Sequence, residues 1–261
     1  RNIVYMPLYY NKFGTEGYLS SPILLGYDGK CKILKSDTVN KQDIIIRRKY
    51  PVFQDVYQAS LRLIGGEFQA SNNKDFKDAE TIFKINEPLT SGYDICISDT
   101  IQSYRYWRYY QPEVNTYCNM AEISFWNGEQ KLKGKIIGTN GSWDNRGSTK
   151  EKVFDDDLLT FFDSPISSKG WVGMDFGVPQ KVSNILFTGR GDGNSIELDD
   201  VYELFYWDDV NGWLSLGKKK AHSFALKYDS VPTNALFLLK DISKGKEQRI
   251  FTYENDRQIW W

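Results

Sequence analysis

Apolar residues recur at helical spacing in one stretch of this chain only, where Phe53, Tyr57, Leu61 and Ile64 lie between Pro51 and the Gly65-Gly66 pair. That stretch predicts a short helix. Elsewhere the hydrophobic residues fall in short aliphatic and aromatic runs at 44–46, 67–70, 104–110, 121–126, 182–187, 202–207 and 234–239, bounded by Gly, Asp, Asn or Pro. Many short runs separated by turn residues predict an all-β chain of sandwich or barrel type. The aromatic content of 15% agrees, because Tyr, Phe and Trp pack well on a pleated surface.

The halves echo one another. In the first, Glu67-Phe-Gln-Ala-Ser71 is followed by Thr81-Ile-Phe-Lys-Ile85, Tyr104-Arg-Tyr-Trp-Arg-Tyr109 and Ala121-Glu-Ile-Ser-Phe125. In the second, Tyr202-Glu-Leu-Phe-Tyr206 is followed by Trp213-Leu-Ser-Leu216, Asn234-Ala-Leu-Phe-Leu-Leu239 and Arg249-Ile-Phe-Thr-Tyr253. The common order predicts a diverged tandem duplication, with two β-sandwich domains at 1–127 and 128–261 and the boundary in the turn Asn127-Gly-Glu-Gln130.

Charge and composition narrow the function. With 33 Lys and Arg against 34 Asp and Glu, the net charge of −1 gives no electrostatic reason to expect nucleic acid or an acidic membrane as partner. No apolar run reaches membrane-spanning length. The single histidine, His222, follows a lysine run and reads as a surface residue, leaving nucleophilic triads one possible base and multi-histidine metal sites none. Cys31, Cys96 and Cys118 stand at no metal-ligand spacing; either one pair bridges or all three are buried small hydrophobes. Arg1 in place of Met suggests a processed or trimmed product.

Several of these segments resemble the discoidin family, the coagulation-factor C-type domains that overlap the galactose-type carbohydrate-binding modules. In the second half, Phe154-Asp-Asp-Asp-Leu-Leu-Thr160 resembles the family's Asp-rich turn. Trp171-Val-Gly-Met-Asp-Phe-Gly177 resembles its tryptophan-to-Asp-Leu-Gly strand, and Trp213 its core tryptophan. In the first half, residues 67–71, Asp75-Phe-Lys-Asp-Ala79, residues 104–108 and Ala121 to Phe125 are similar to its closing strands. The chain also resembles the C-terminal region of exported bacterial proteins with an upstream transglutaminase-like domain. The resemblance implies two tandem jelly-roll sandwiches, an exported location, and glycan, lipid or protein binding through loops at one end.

The loop Thr188-Gly-Arg-Gly-Asp-Gly-Asn194 is the leading candidate site. Arg190 brings five fixed donors, and Asp192 and Asn194 bring acceptors, the mixture that adjacent sugar hydroxyls require. Alternatively, Arg190 pairs with a nearby carboxylate and Asn194 ends a turn. Trp143, in the glycine-rich stretch 138–147, is either an exposed stacking platform for a sugar ring or a side chain packed beneath its own loop. Trp171 and Trp213 are assigned to the core, and Trp260-Trp261 to the end of the sandwich or to the other domain. Arg47 and Arg48 are a lesser candidate for a second site.

By resemblance, Asp155, Asp156, Asp157 and Thr160 form the turn that holds a structural calcium in many family members, and their hard oxygens suit that ion. The glutamate that completes such sites has Arg249 at its register in the second half, where a guanidinium could stand in for the cation. The first half has the glutamate, Glu122, but only Tyr27-Asp-Gly29 for a turn. The sequence therefore favours no cofactor and no metal, with a structural Ca²⁺ as the alternative. The expected function is a non-catalytic glycan- or polysaccharide-binding region; the alternative is a docking module that positions an upstream domain of the same protein.

Overall fold

A computed structural model describes residues 3–26, 29–245 and 249–261. The fold is all-β, as expected: strands dominate and are antiparallel throughout, and among the described residues there is one α-helix, Gln54–Leu61. Among the described residues no helix is long and apolar enough to cross a membrane.

The chain divides into two compact units at places other than the expected turn. A middle unit runs from Val52 to Ser195, and a terminal unit combines the segment ending at Pro51 with Ile196–Trp261. Asn127-Gly-Glu-Gln130 is a hairpin inside the middle unit, joining Met120–Asn127 to Gln130–Lys131. The boundary at 127/128 fails because Met120–Asn127 finds its other neighbour in Asn184–Gly189, and Tyr104–Gln111 finds one in Gly170–Gln180. Each pairing joins strands from opposite halves of the sequence.

The middle unit is a sandwich. One sheet has the order Lys135–Gly138, Gly170–Gln180, Tyr104–Gln111, Glu67–Ser71, Glu80–Lys84; the facing sheet has Gln130–Lys131, Met120–Asn127, Asn184–Gly189, Tyr93–Cys96. Alternate side chains meet between them: Phe68 packs on Phe187 with ring centroids 4.7 Å apart, and Trp107 on Phe125 at 6.1 Å. Within the motif at 171–177 the period-two pattern buries Val172 and Met174, while Trp171 is turned to the outer face against Phe76 and the Arg108 guanidinium. Trp171 is therefore not the core residue expected. Gly173 is required because a Cβ there would lie 2.0 Å from the Trp107 carbonyl oxygen.

The helix Gln54–Leu61 turns a different face inward from the one its aromatic spacing suggested. Val56, Ser60 and Leu63 are buried, and Phe53, Tyr57 and Leu61 are exposed. The carbonyls of the turn that follows it are capped from the core: buried Gln111 donates to the Arg62 carbonyl at 2.9 Å, with those of Leu63 and Ile64 at 3.3 Å.

In the terminal unit a five-stranded sheet has the order Gly212–Lys220, Val201–Asp208, Phe237–Asp241, Ile250–Glu254, Arg257–Trp260. It shares a core with the pair Asp37–Ile46 and Leu226–Thr233. The sequence echo survives in part: 80–84, 67–71 and 104–111 lie in the same order as 212–220, 201–208 and 237–241. The fourth segments then diverge, since Met120–Asn127 joins the opposite sheet while Ile250–Glu254 stays beside its predecessor. Half-buried Trp213 packs edge-on against Trp207 at 5.3 Å. Trp260 packs on Phe251, and the Trp261 indole donates to Thr252 Oγ1 at 3.1 Å, so the terminal pair covers its own sheet.

Free cysteines replace both cysteine expectations: none is bridged, Cys31 and Cys96 are exposed, and only Cys118 is buried. His222 is exposed, as read from the sequence.

Candidate functional site

The strand Asn184–Gly189 ends at the loop that carries Arg190, and the geometry there is set by small residues. A Cβ on Gly189 would strike Leu63 Cδ1 at 2.4 Å, so glycine lets the end of the helical segment pack against the strand. Gly193, at φ 68°, turns the loop back over Leu159. Between the helix and the loop lies a cleft of about 360 Å³ lined by Asp55, Val56, Gln58, Ala59, Arg62, Arg190 and Gly191.

Arg190 lies 4.0 Å over the Phe161 ring, and its Nη1 is 3.8 Å from Asp163 Oδ2. That separation is an ion pair without a hydrogen bond, and Arg190 makes no side-chain hydrogen bond among the described residues. The guanidinium is thus oriented by a ring and a carboxylate while its donors stay open, with 40% of its side chain exposed. Asp163 is a hub that sequence reading missed. Its carboxylate accepts from Asn119 Nδ2 at 2.8 Å, Asn119 Oδ1 accepts from Arg62 Nη1 at 3.1 Å, and its carbonyl accepts from the Trp143 backbone N–H at 2.7 Å. No local motif marks Asp163 or Asn119; only strand pairing brings them beside the loop.

Trp143 is 40% exposed at the start of the short 3₁₀ turn Trp143–Asn145. One side of its ring is covered by the Arg146 guanidinium at 4.7 Å. Trp143 therefore stands at the surface, one backbone hydrogen bond from the residue that orients Arg190. Asp192 Oδ1 accepts from the Asn194 N–H at 3.0 Å, forming a local turn that shapes the loop.

The aspartate turn sits in the same unit, and so does Glu122. Thr160 Oγ1 donates to the Asp155 carboxylate at 2.8 Å, with the carbonyl oxygens of Asp157 and Lys152 at 3.2 and 3.3 Å. Glu122, on Met120–Asn127, accepts from the Asp156 N–H at 3.2 Å through Oε2, while buried Oε1 has no partner. Burial, with the Asp156 charge adding to it and Lys131 opposing it, pushes this carboxyl up to about 9. Lys131 and Lys152 pair with Asp156 and Asp155 at 2.5 and 3.2 Å. Arg249, the expected stand-in cation, belongs to the terminal unit, 5.2 Å from the Tyr50 ring and 3.3 Å from the Trp261 carbonyl oxygen. The other expected half-site, Tyr27-Asp28, lies outside the described residues.

The terminal unit holds its own group of carboxylates, Glu197, Asp200 and Asp241, with oxygens within 4.8 Å of one another. Two ammonium groups already sit among them. Lys49 lies 2.5 Å from Glu197 and 3.6 Å from Asp241, and Lys244 contacts Glu197 and, at 3.1 Å, Asp200. Arg48 is buried beside this network and donates to the Tyr50 carbonyl at 3.0 Å, so Arg48 and Lys49 serve the interior of the unit.

Comparison with protein-family models, with characterised proteins and with solved structures finds no match.

Proposed function

We propose that this chain is a non-catalytic glycan-binding region of an exported protein, and that the middle unit holds the ligand at the end of its sandwich formed by the Arg190 loop and the Trp143 turn. The observation that carries this reading is Arg190: half-exposed, held over Phe161, and with its donors unused inside the protein. A sugar hydroxyl replaces water on such donors at little cost, because the guanidinium is already placed. Trp143 offers an aromatic surface for the apolar face of a pyranose, and Asp192 and Asn194 shape the loop.

A structural calcium belongs to the same proposal. The donor set fits it: Asp155 carboxylate, Thr160 hydroxyl, and the Lys152 and Asp157 carbonyls converge, and buried Glu122 Oε1 has no hydrogen-bond partner. Calcium there would supply fixed positive charge and pin the turn that precedes Phe161 and Asp163.

The test is a glycan array with the parent and Arg190→Ala, with and without calcium chelation. Selective binding lost in the variant supports the reading; binding unchanged in the variant overturns the site. A second reading, a docking module that positions another domain, draws on one observation in the terminal unit. The hairpin Leu8–Tyr10 with Gly17–Leu19 exposes Leu8, Tyr9, Tyr10, Phe13 and Tyr18 together. A blank array would shift weight to that surface.

A further inference from the structure

The cleft beside Arg190 contains a second arginine that the loop motif gives no hint of, and its charge is unmatched. Arg62 closes the helical segment, and its one hydrogen bond from the side chain goes to a neutral amide, Asn119 Oδ1. Arg62 and Arg190 face the same cleft and share a single nearby carboxylate, Asp163, through the chain Arg62–Asn119–Asp163–Arg190. Of the ten guanidinium donors in the two side chains, this network uses one. We infer that the ligand of this cleft carries a carboxylate, bound between Arg62 and Arg190, and is therefore an acidic sugar of the uronic or sialic type. The inference rests on the glycan-binding reading above and names its substrate class.

The rest of the cleft limits the ligand to one such charge. Asp55 lines it seven residues before Arg62, about 10 Å along the helix axis. Gln58 lies between them, and Val56 and Ala59 provide apolar wall. A densely anionic ligand would meet Asp55, whereas a sugar acid can direct its carboxylate to the arginines and its hydroxyls to Asp55 and Gln58. Planar guanidinium groups favour a planar carboxylate, which takes two parallel hydrogen bonds from each fork.

The experiment compares matched pairs on the intact chain: galacturonic acid against its methyl ester, and N-acetylneuraminyllactose against lactose. Titration is followed by calorimetry and by the arginine Nε–Hε resonances in ¹⁵N spectra. At least one acid should bind about tenfold or more tighter than its neutral partner, with shifts at Arg62 and Arg190. Arg62→Gln should remove that preference while weak neutral binding persists; its exposed position and single hydrogen bond let the variant fold. Equal affinity for acid and neutral partner overturns the carboxylate assignment and leaves the glycan-binding reading standing. Equal preference for galactose 6-sulfate over galactose would overturn the carboxylate in favour of any monoanion. No binding of any probe overturns both readings.

Discussion

Each unit contains a group of acidic residues, buried or half-buried in the terminal unit and, in the middle unit, one buried glutamate beside exposed aspartates, and the two groups meet positive charge differently. In the terminal unit, Glu197, Asp200 and Asp241 are met by Lys49 and Lys244 from the same fold. In the middle unit, lysines reach Asp155 and Asp156 on the surface, but Glu122 keeps a buried oxygen without a partner. In the first arrangement lysine ammonium groups stand within ion-pairing distance of all three acids, although Asp200 Oδ2 and Asp241 Oδ2 accept no hydrogen bond. The second leaves an acceptor that a cation from solution would satisfy. A count of nearby carboxylates alone does not separate the two groups, because it ignores which positive charges already stand among them.

The largest effect that this contrast predicts is at Lys49. Its side chain is 5% exposed and that of Asp241 is 1% exposed. Lys49→Met leaves Asp241 and half of Glu197 without their cation and should cost about 3–5 kcal/mol, as loss of one partner from a buried ion pair usually does. Chemical denaturation with hydrogen exchange should place that loss in the terminal unit and leave amides of the middle sandwich protected. An unchanged midpoint would mean that the network is solvated and that the two groups do not differ.

Glu122 gives the next effect. Calcium at a hundred times its dissociation constant should raise the stability of the middle unit by about 2.7 kcal/mol, read as an upward shift in melting temperature that chelation reverses. Glu122→Gln keeps the shape of the side chain but cannot ionise, and should abolish that response without loss of stability in calcium-free buffer, where burial already keeps the carboxyl protonated at neutral pH. A calcium response that survives the variant would place the ion elsewhere.

Strand content and most segments of the sandwich were legible because alternation and turn residues are local properties. The runs at 104–110, 121–126 and 202–207 correspond to Tyr104–Gln111, Met120–Asn127 and Val201–Asp208. The division of the chain was not legible, because it depends on pairings such as Phe125 with Ile185 and Tyr109 with Val172 that join distant segments. Reading neighbours in chain order put Glu122 in one domain and the aspartate turn in another, so each half seemed to lack what the other supplied. In the structure Glu122 and the aspartate turn belong to one sandwich. At the site, Arg190 and Trp143 carried local glycine signals. Arg62, Asn119 and Asp163 did not, since their roles come from register alone.

The smallest predicted effect is a pH dependence that separates the two groups again. Burial works to raise the Glu197 carboxyl, but hydrogen bonds from Lys244 and Lys49 outweigh it and hold the pKa below the ordinary glutamate value. A carboxyl depressed on folding stabilises the native state above its unfolded pKa, about 4.3, and that contribution disappears as pH falls through the lower folded value. The terminal unit should therefore lose stability on acidification below about pH 4, and Glu197→Gln should flatten that limb. Amide exchange measured between pH 3 and 6 checks it, because protection in the terminal sheet must fall with pH in the parent and fall less in Glu197→Gln. If the variant keeps the full acid sensitivity, Glu197 is not the group whose protonation destabilises the terminal unit.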